Sequence, residues 1–185
     1  MSFLLGLDIS STCTGFSIID NSGNIVKYGA IKTPTGDEFK DIFDKTKEQI
    51  RVIEELKSQY DITCVYVEEA LMGFSAGKSN ANTLTTLIRI NGSISYKIFE
   101  LFGFKPNFIS AKESRKIIGI SVKKGENAKK IVLKFHLDNT PGFVVSCGKR
   151  GGTPPAAYDM ADAITVARAG YERQKANSMR SAGQS

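Results

Sequence analysis

The chain of 185 residues carries 25 Lys and Arg against 19 Asp and Glu, a formal charge of +6. Its 41% hydrophobic and 24% charged content is that of an ordinary globular chain, long enough for one domain with a substantial core, and no apolar run is long enough to span a bilayer. Cys13, Cys64 and Cys147 form no CxxC pair, and with His136 as the single histidine the composition argues against structural zinc and for free thiols in a reducing compartment.

Residues 3–9 read as a buried strand, without the basic flank or small-residue cleavage site of a secretory signal. Residues 15–19 and 25–31 read as two more, joined across "DNSGN", whose residues favour a tight turn. These three strands are expected to be antiparallel neighbours. Phe39, Ile42, Phe43, Ile50, Ile53 and Leu56 then fall at helical spacing, predicting an amphipathic helix over about 38–58. The β-branched run 62–68 predicts a central strand, parallel to an earlier one through a crossover.

A long helix is predicted over about 80–102, with Leu84, Leu87, Ile88, Asn91, Ile94, Ile98 and Leu101 on one face. Ile90 and Phe99 fall on other faces, as in a helix buried on several sides or lying at a subunit interface. "KPNFIS" predicts a short strand, and Ser110 with Glu113 has capping-box spacing for a helix. Another helix is expected over about 126–137, then a Gly-rich basic loop over 139–153. Pro154 and Pro155 suit the first turn of a last helix, from Ala156 to about Lys175. Residues 1–175 thus form one domain, and 176–185 read as a disordered tail. The expected class is α/β: a mixed five-stranded sheet, its first three strands antiparallel, with helices on both faces.

Charge is unevenly spread. Residues 1–100 hold 10 basic and 13 acidic side chains, whereas residues 101–185 hold 15 and 6. That bias points to a polyanionic partner, nucleic acid before membrane. Lys112, Arg115, Lys116, Lys123, Lys124, Lys129 and Lys130 cluster in and around two short helices, as phosphate-binding residues would. Lys149 and Arg150 lie in the Gly-rich loop, where they would reach a strand across a dimer.

Four acids lie where acids are not expected. Asp8 and Glu68 end the two candidate central strands, and Asp159 and Asp162 interrupt a helix of otherwise small and apolar residues. Each alone has an ordinary explanation: a turn cap for Asp8, a solvated strand end for Glu68 or its neighbour Glu69, the favourable first helical turn for Asp159 and Asp162. Together they make a constellation. Adjacent parallel strands are about 4.8 Å apart, so acids at two strand ends meet, and i, i+3 spacing puts the helical pair on one face. Four carboxylates share a small site in ionised form only if cations neutralise them. Oxygen-only ligands favour two Mg²⁺ ions, with Mn²⁺ able to substitute, and such a pair supports phosphodiester hydrolysis.

The strand-end Asp in "LGLDISSTCTGFSII", the Glu in "VYVEEALM" and the paired acids in "YDMADAITVA" resemble the RuvC-type Holliday junction resolvases of the ribonuclease H-like superfamily. The resemblance spans roughly residues 3–170. It implies a homodimeric, two-Mg²⁺ endonuclease that nicks four-way DNA junctions symmetrically in DNA recombination and repair. It also implies that Asp8, Glu68, Asp159 and Asp162 are both catalytic acids and metal ligands. Leu71, Met72 and Phe74 stand where the family carries a junction wedge. Ile9-Ser10 replaces the family's Pro-Gly and Tyr158 its His, departures that suit a divergent, phage-encoded branch acting in the cytoplasm of a bacterium or infected host.

The rivals are a broader branched-DNA or RNA–DNA hybrid nuclease, a catalytically inactive DNA-binding module, and a sugar kinase or actin-like ATPase, for which 185 residues is too short. "SAGKSNANT" lacks the first Gly of a phosphate loop and reads as the approach to the long helix. His136 reads as a structural or surface residue, and Cys13 lacks the neighbouring base that a nucleophile needs.

Overall fold

The apolar runs fold as their alternation predicts. The computed structural model describes residues 1–33, 41–70, 81–146 and 152–182. In chain order the elements are β1 (Phe3–Asp8), β2 (Cys13–Asp20), β3 (Ile25–Lys32), α1 (Ile42–Gln59) and β4 (Ile62–Glu68). They continue as α2 (Ala81–Phe102), β5 (Asn107–Ile109), α3 (Ala111–Ile117), α4 (Ala128–Asn139) and α5 (Ala156–Ala182). Lys149, Arg150, Leu71, Met72 and Phe74 lie outside the described residues.

The five strands form one sheet in the order β3-β2-β1-β4-β5. β1 and β3 run antiparallel to β2, while β4 is parallel to both β1 and β5. The β2–β3 turn closes where the Asp20 carboxylate accepts from the Ser22 and Asn24 amides at 2.9 and 2.8 Å, with Gly23 at φ +83°. The first three strands and the crossover are therefore as expected.

Side-chain alternation assigns the two faces. Leu5, Leu7 and Ile9 join Ile18, Val65 and Val67 in a core completed by Ile53 and Leu56 of α1 and by Ile90, Ile94 and Ile98 of α2. On the other face Leu4, Ile19, Cys64, Tyr66 and Ile109 pack against Val166, Ala167 and Ala169 of α5. A third cluster joins α4 to α5 through Val132, Leu133, Ala157, Ala161 and Ile164.

Two expectations need correction. In α2 the inward stripe is Ile90, Ile94 and Ile98, each fully buried, while Ile88 is 42% exposed. Asn91, Ile94 and Ile98 lie inward on the expected face, and only its edge differs: Ile90 joins it and Ile88 leaves it. The last helix also continues to Ala182, so residues 176–182 are helical where a disordered tail was expected. The side chains of residues 176–181 are exposed, and Ala176, Met179 and Arg180 are of residue types that favour helix.

Ser110 caps α3 as its spacing predicts, accepting from the Glu113 amide at 3.2 Å. Asn127 does the same for α4. His136 is buried, with Nδ1 2.9 Å from Thr140 Oγ1 and Nε2 2.8 Å from Thr165 Oγ1. The Thr165 hydroxyl donates to the Ala161 carbonyl, so Nε2 carries the proton and Nδ1 accepts. Burial, then the Arg168 charge, pull its pKa down to about 3. His136 is a neutral strut between α4 and α5.

Candidate active site

Alternation places Asp8 on the same sheet face as Leu4 and Gly6, and Glu68 on the face of Cys64 and Tyr66. Both face α5, which carries Asp159 and Asp162. Leu7 pairs with Val67 across β1 and β4, so the two strand-end acids are neighbours. Glu68, half-buried, belongs to this group. Glu69 is exposed, and its amide donates to the Ile109 carbonyl at 2.9 Å. That geometry separates the two glutamates.

Close approach of α5 to the sheet brings the four acids together. A Cβ on Gly15, which pairs with Asp8, would lie 1.9 Å from the Asp159 carbonyl oxygen. A Cβ on Gly6 would lie 2.6 Å from Ala167 Cβ. Glycine at both positions lets the helix backbone rest on the strands.

Mutual repulsion is the electrostatic signature of the cluster. Burial, then the charges of Glu68 and Asp162, hold the Asp8 carboxyl well above the usual carboxylate range. Burial, then Asp162, push Glu68 up to about 7. Burial pushes Asp162 up to about 6, against the opposing pull of Lys129. Arg115 also lowers Glu68 and Asp162.

Lys129 extends from the first turn of α4 into this group. Its Nζ stands 3.1 Å from Asp159 Oδ1 and 3.7 Å from Asp162 Oδ2. The donor set, four carboxylates without His or thiolate, has the chemistry of a hard divalent-cation site. As they stand, no three acidic, His or Cys side chains among the described residues are grouped to hold a metal ion. The lysine ammonium is the cation seated between two of them. Cys13 adds no nucleophile, since burial and then the Asp159 carboxylate push its thiol up to about 12.

The basic residues divide. Lys112, Arg115 and Lys116 line an open cleft of about 560 Å³ with Gly119, Ile120, Ser121 and Val122. Arg115 joins that cleft to the acids, because its charge reaches Glu68 and Asp162. Lys123, Lys124 and Lys130 are exposed around the start of α4. None of these six forms an ion pair with a described residue. Lys129 differs, being committed to the acids.

Three polar residues that the sequence reading did not assign hold the site's frame. Gln49 of α1, fully buried, donates from Nε2 to the Ser10 carbonyl at 3.0 Å and accepts from the Thr14 hydroxyl. It fixes the turn that follows Asp8. The available signal was a glutamine on the inward stripe with Thr46, Ile53 and Leu56. Asn91 of α2 donates to the Glu68 carbonyl at 3.3 Å, tying the end of β4 to that helix.

Sheet order and helix placement are those of solved RuvC-type resolvase structures. Thermus thermophilus RuvC in complex with a Holliday junction substrate superposes with a TM-score of 0.65 at 13% identity, covering 95% of this chain and 96% of that one. The yeast mitochondrial Holliday junction resolvase gives 0.60 at 14% identity, over 94% and 79%. Fowlpox virus resolvase with Holliday junction DNA gives 0.51 at 14% identity, over 93% and 98%. No protein-family model and no curated protein sequence matches the chain. The chain thus shares the fold of these structures at low sequence identity.

Proposed function

We propose that this protein is a divalent-metal-dependent, structure-selective endonuclease that cleaves four-way DNA junctions as a homodimer. One observation supports the reading: β1, β4 and α5 carry four acids within electrostatic reach of one another, beside a basic cleft, on the fold of the junction resolvases. Asp8, Glu68, Asp159 and Asp162 would hold Mg²⁺ or Mn²⁺. When bound, the metal supplies charge neutralisation and an activated water. Hydrolysis there would form a bond from the water oxygen to phosphorus and break the bond to the leaving sugar oxygen, the proton lost by water being balanced by the one the leaving oxygen gains. Lys112, Arg115 and Lys116 would hold the flanking phosphates, fixing position without reading sequence. No described helix is long and apolar enough to cross a membrane, and Cys13 and Cys64 are free thiols. Both suit work in a reducing, DNA-containing compartment such as the cytoplasm of a bacterium or a phage-infected host.

The test is cleavage of end-labelled four-way junction, three-way junction, flap, linear duplex and RNA–DNA hybrid in Mg²⁺. Paired symmetric nicks in the four-way junction alone are expected. Equal cutting of flaps or hybrids would replace the reading with a broader nuclease of the same fold. Binding with no cutting in Mg²⁺ or Mn²⁺ would replace it with a DNA-binding module.

We propose the outward side of α2 as the dimer surface. Ile94 and Ile98 are core residues, so charging them tests folding and not association. Ile88, Tyr96 and Phe99 are exposed by 42, 64 and 44%, on one stripe with Gly92, where an added Cβ meets nothing within 4 Å. Tyr96→Glu with Phe99→Glu is expected to sediment as a monomer at micromolar concentration with unchanged circular dichroism. A dimer that persists would move the interface elsewhere.

A further inference from the structure

Lys129 occupies a position that local structure does not favour. It lies in the first turn of α4, just after the Asn127 cap, where the helix dipole favours anions over cations. Its ammonium nevertheless contacts both α5 carboxylates, at 3.1 and 3.7 Å. Its charge also reaches Asp8 and Glu68. The side chain is 58% exposed, so little packing holds the four-carbon stem. One ammonium thus contacts two of the acids and acts through its charge on the other two.

We infer that Lys129 is the resident counter-ion of the metal-free site, that divalent metal displaces it, and that the released ammonium then takes a phosphate of the bound strand. This rests on the reading of the four acids as a metal site. Competition follows from charge. The ammonium keeps the carboxylates from driving one another apart before metal arrives, and it opposes metal entry while it stays. Once freed, it lies on the rim between the acids and the exposed Lys123, Lys124 and Lys130, where a phosphate backbone would pass. Metal loading and strand binding then assist each other through one side chain.

The test is Mn²⁺ titration by calorimetry on the full-length protein without DNA, comparing wild type, Lys129→Met and Lys129→Arg. Lys129→Met is expected to bind Mn²⁺ roughly tenfold more tightly than wild type, the worth of two half-exposed ion pairs removed. Lys129→Arg is expected to stay near wild type. Junction binding, measured with non-cleaving Ca²⁺, is expected to strengthen in wild type on adding the ion and to gain less in Lys129→Met. Equal or weaker Mn²⁺ binding by Lys129→Met overturns the counter-ion role while leaving the metal site standing. Failure of both wild type and Lys129→Met to bind Mn²⁺ overturns the metal-site reading and this inference with it. Matching circular dichroism among the three proteins separates either result from misfolding.

Discussion

Metal-free Glu68→Gln protein is expected to melt above wild type at pH 8, by about 5 °C, while its cleavage falls by more than 100-fold. Burial and Asp162 raise the folded-state pKa of Glu68 to about 7 from an ordinary 4.5. A folded pKa above the unfolded one means that the folded protein binds the proton more tightly. That contribution to stability is fully present below about pH 4.5 and is lost as pH rises through 7. At pH 8 the ionised carboxylate sits beside Asp8 and Asp162 at a cost on the order of 2 kcal/mol, shared across the cluster. Removing the charge recovers that amount, which is about 5 °C for a domain of this size. The gap between the proteins is expected to close as pH falls toward 4.5. On the proposed metal-site reading, saturating Mg²⁺ is expected to stabilise wild type more than the variant. Scanning calorimetry in chelator, from pH 4.5 to 8, reads all of this. A variant that melts with or below wild type at every pH would show that the acids are not crowded. The loss of cleavage exceeds the roughly 10–100-fold that altering a mere partner of a metal ligand costs.

Such a site, less stable for being ready, is what made it legible. Carboxylates in apolar segments are locally unfavourable, so Asp8, Glu68, Asp159 and Asp162 stood out from residue type alone. β4 was readable at both ends because a run of β-branched and aromatic residues extends from Ile62 to the charge at Glu68. The start of α3 was readable because capping is local, with Ser110 and Glu113 three residues apart. What was not legible depends on distance in space. Nothing near Lys129 in the sequence sets it apart from Lys130, yet one meets Asp159 across 30 residues and the other forms no ion pair with a described residue. Nothing local says that Ile90 turns inward and Ile88 outward, because the sheet selects the stripe from a helix with apolar residues on several sides. Gln49 reaches Thr14 across 35 residues. Gly15 reads as an ordinary small residue in a strand until α5 is laid against it.

That glycine gives the second large effect. Gly15→Ala is expected to lower cleavage by about 100-fold and to weaken Mn²⁺ binding, although alanine carries no charge and touches no substrate. Its Cβ would fall 1.9 Å from the Asp159 carbonyl oxygen and 2.5 Å from the carbonyl carbon. Those are backbone atoms, which cannot swing aside as a side chain does. Restoring contact near 3.5 Å lifts the start of α5 by roughly 1.5 Å, and it carries Asp159 away from Asp8. A displacement of about 1 Å at reacting groups is worth on the order of 100-fold. Overpacking is also expected to cost about 1–3 kcal/mol of stability, so a control must lose stability without moving the acids. Gly29→Ala supplies it. The three atoms nearest that Cβ would all belong to the Phe16 ring, the first at 2.7 Å, which disturbs the β2–β3 side of the core. Calorimetric Mn²⁺ titration and junction cleavage, with melting temperature alongside, separate the two variants. If both lose stability and only Gly15→Ala loses metal affinity and cleavage, contact between α5 and β2 sets the carboxylate geometry. If Gly15→Ala keeps wild-type cleavage, the acids tolerate a shifted helix, and close packing of α5 serves stability alone.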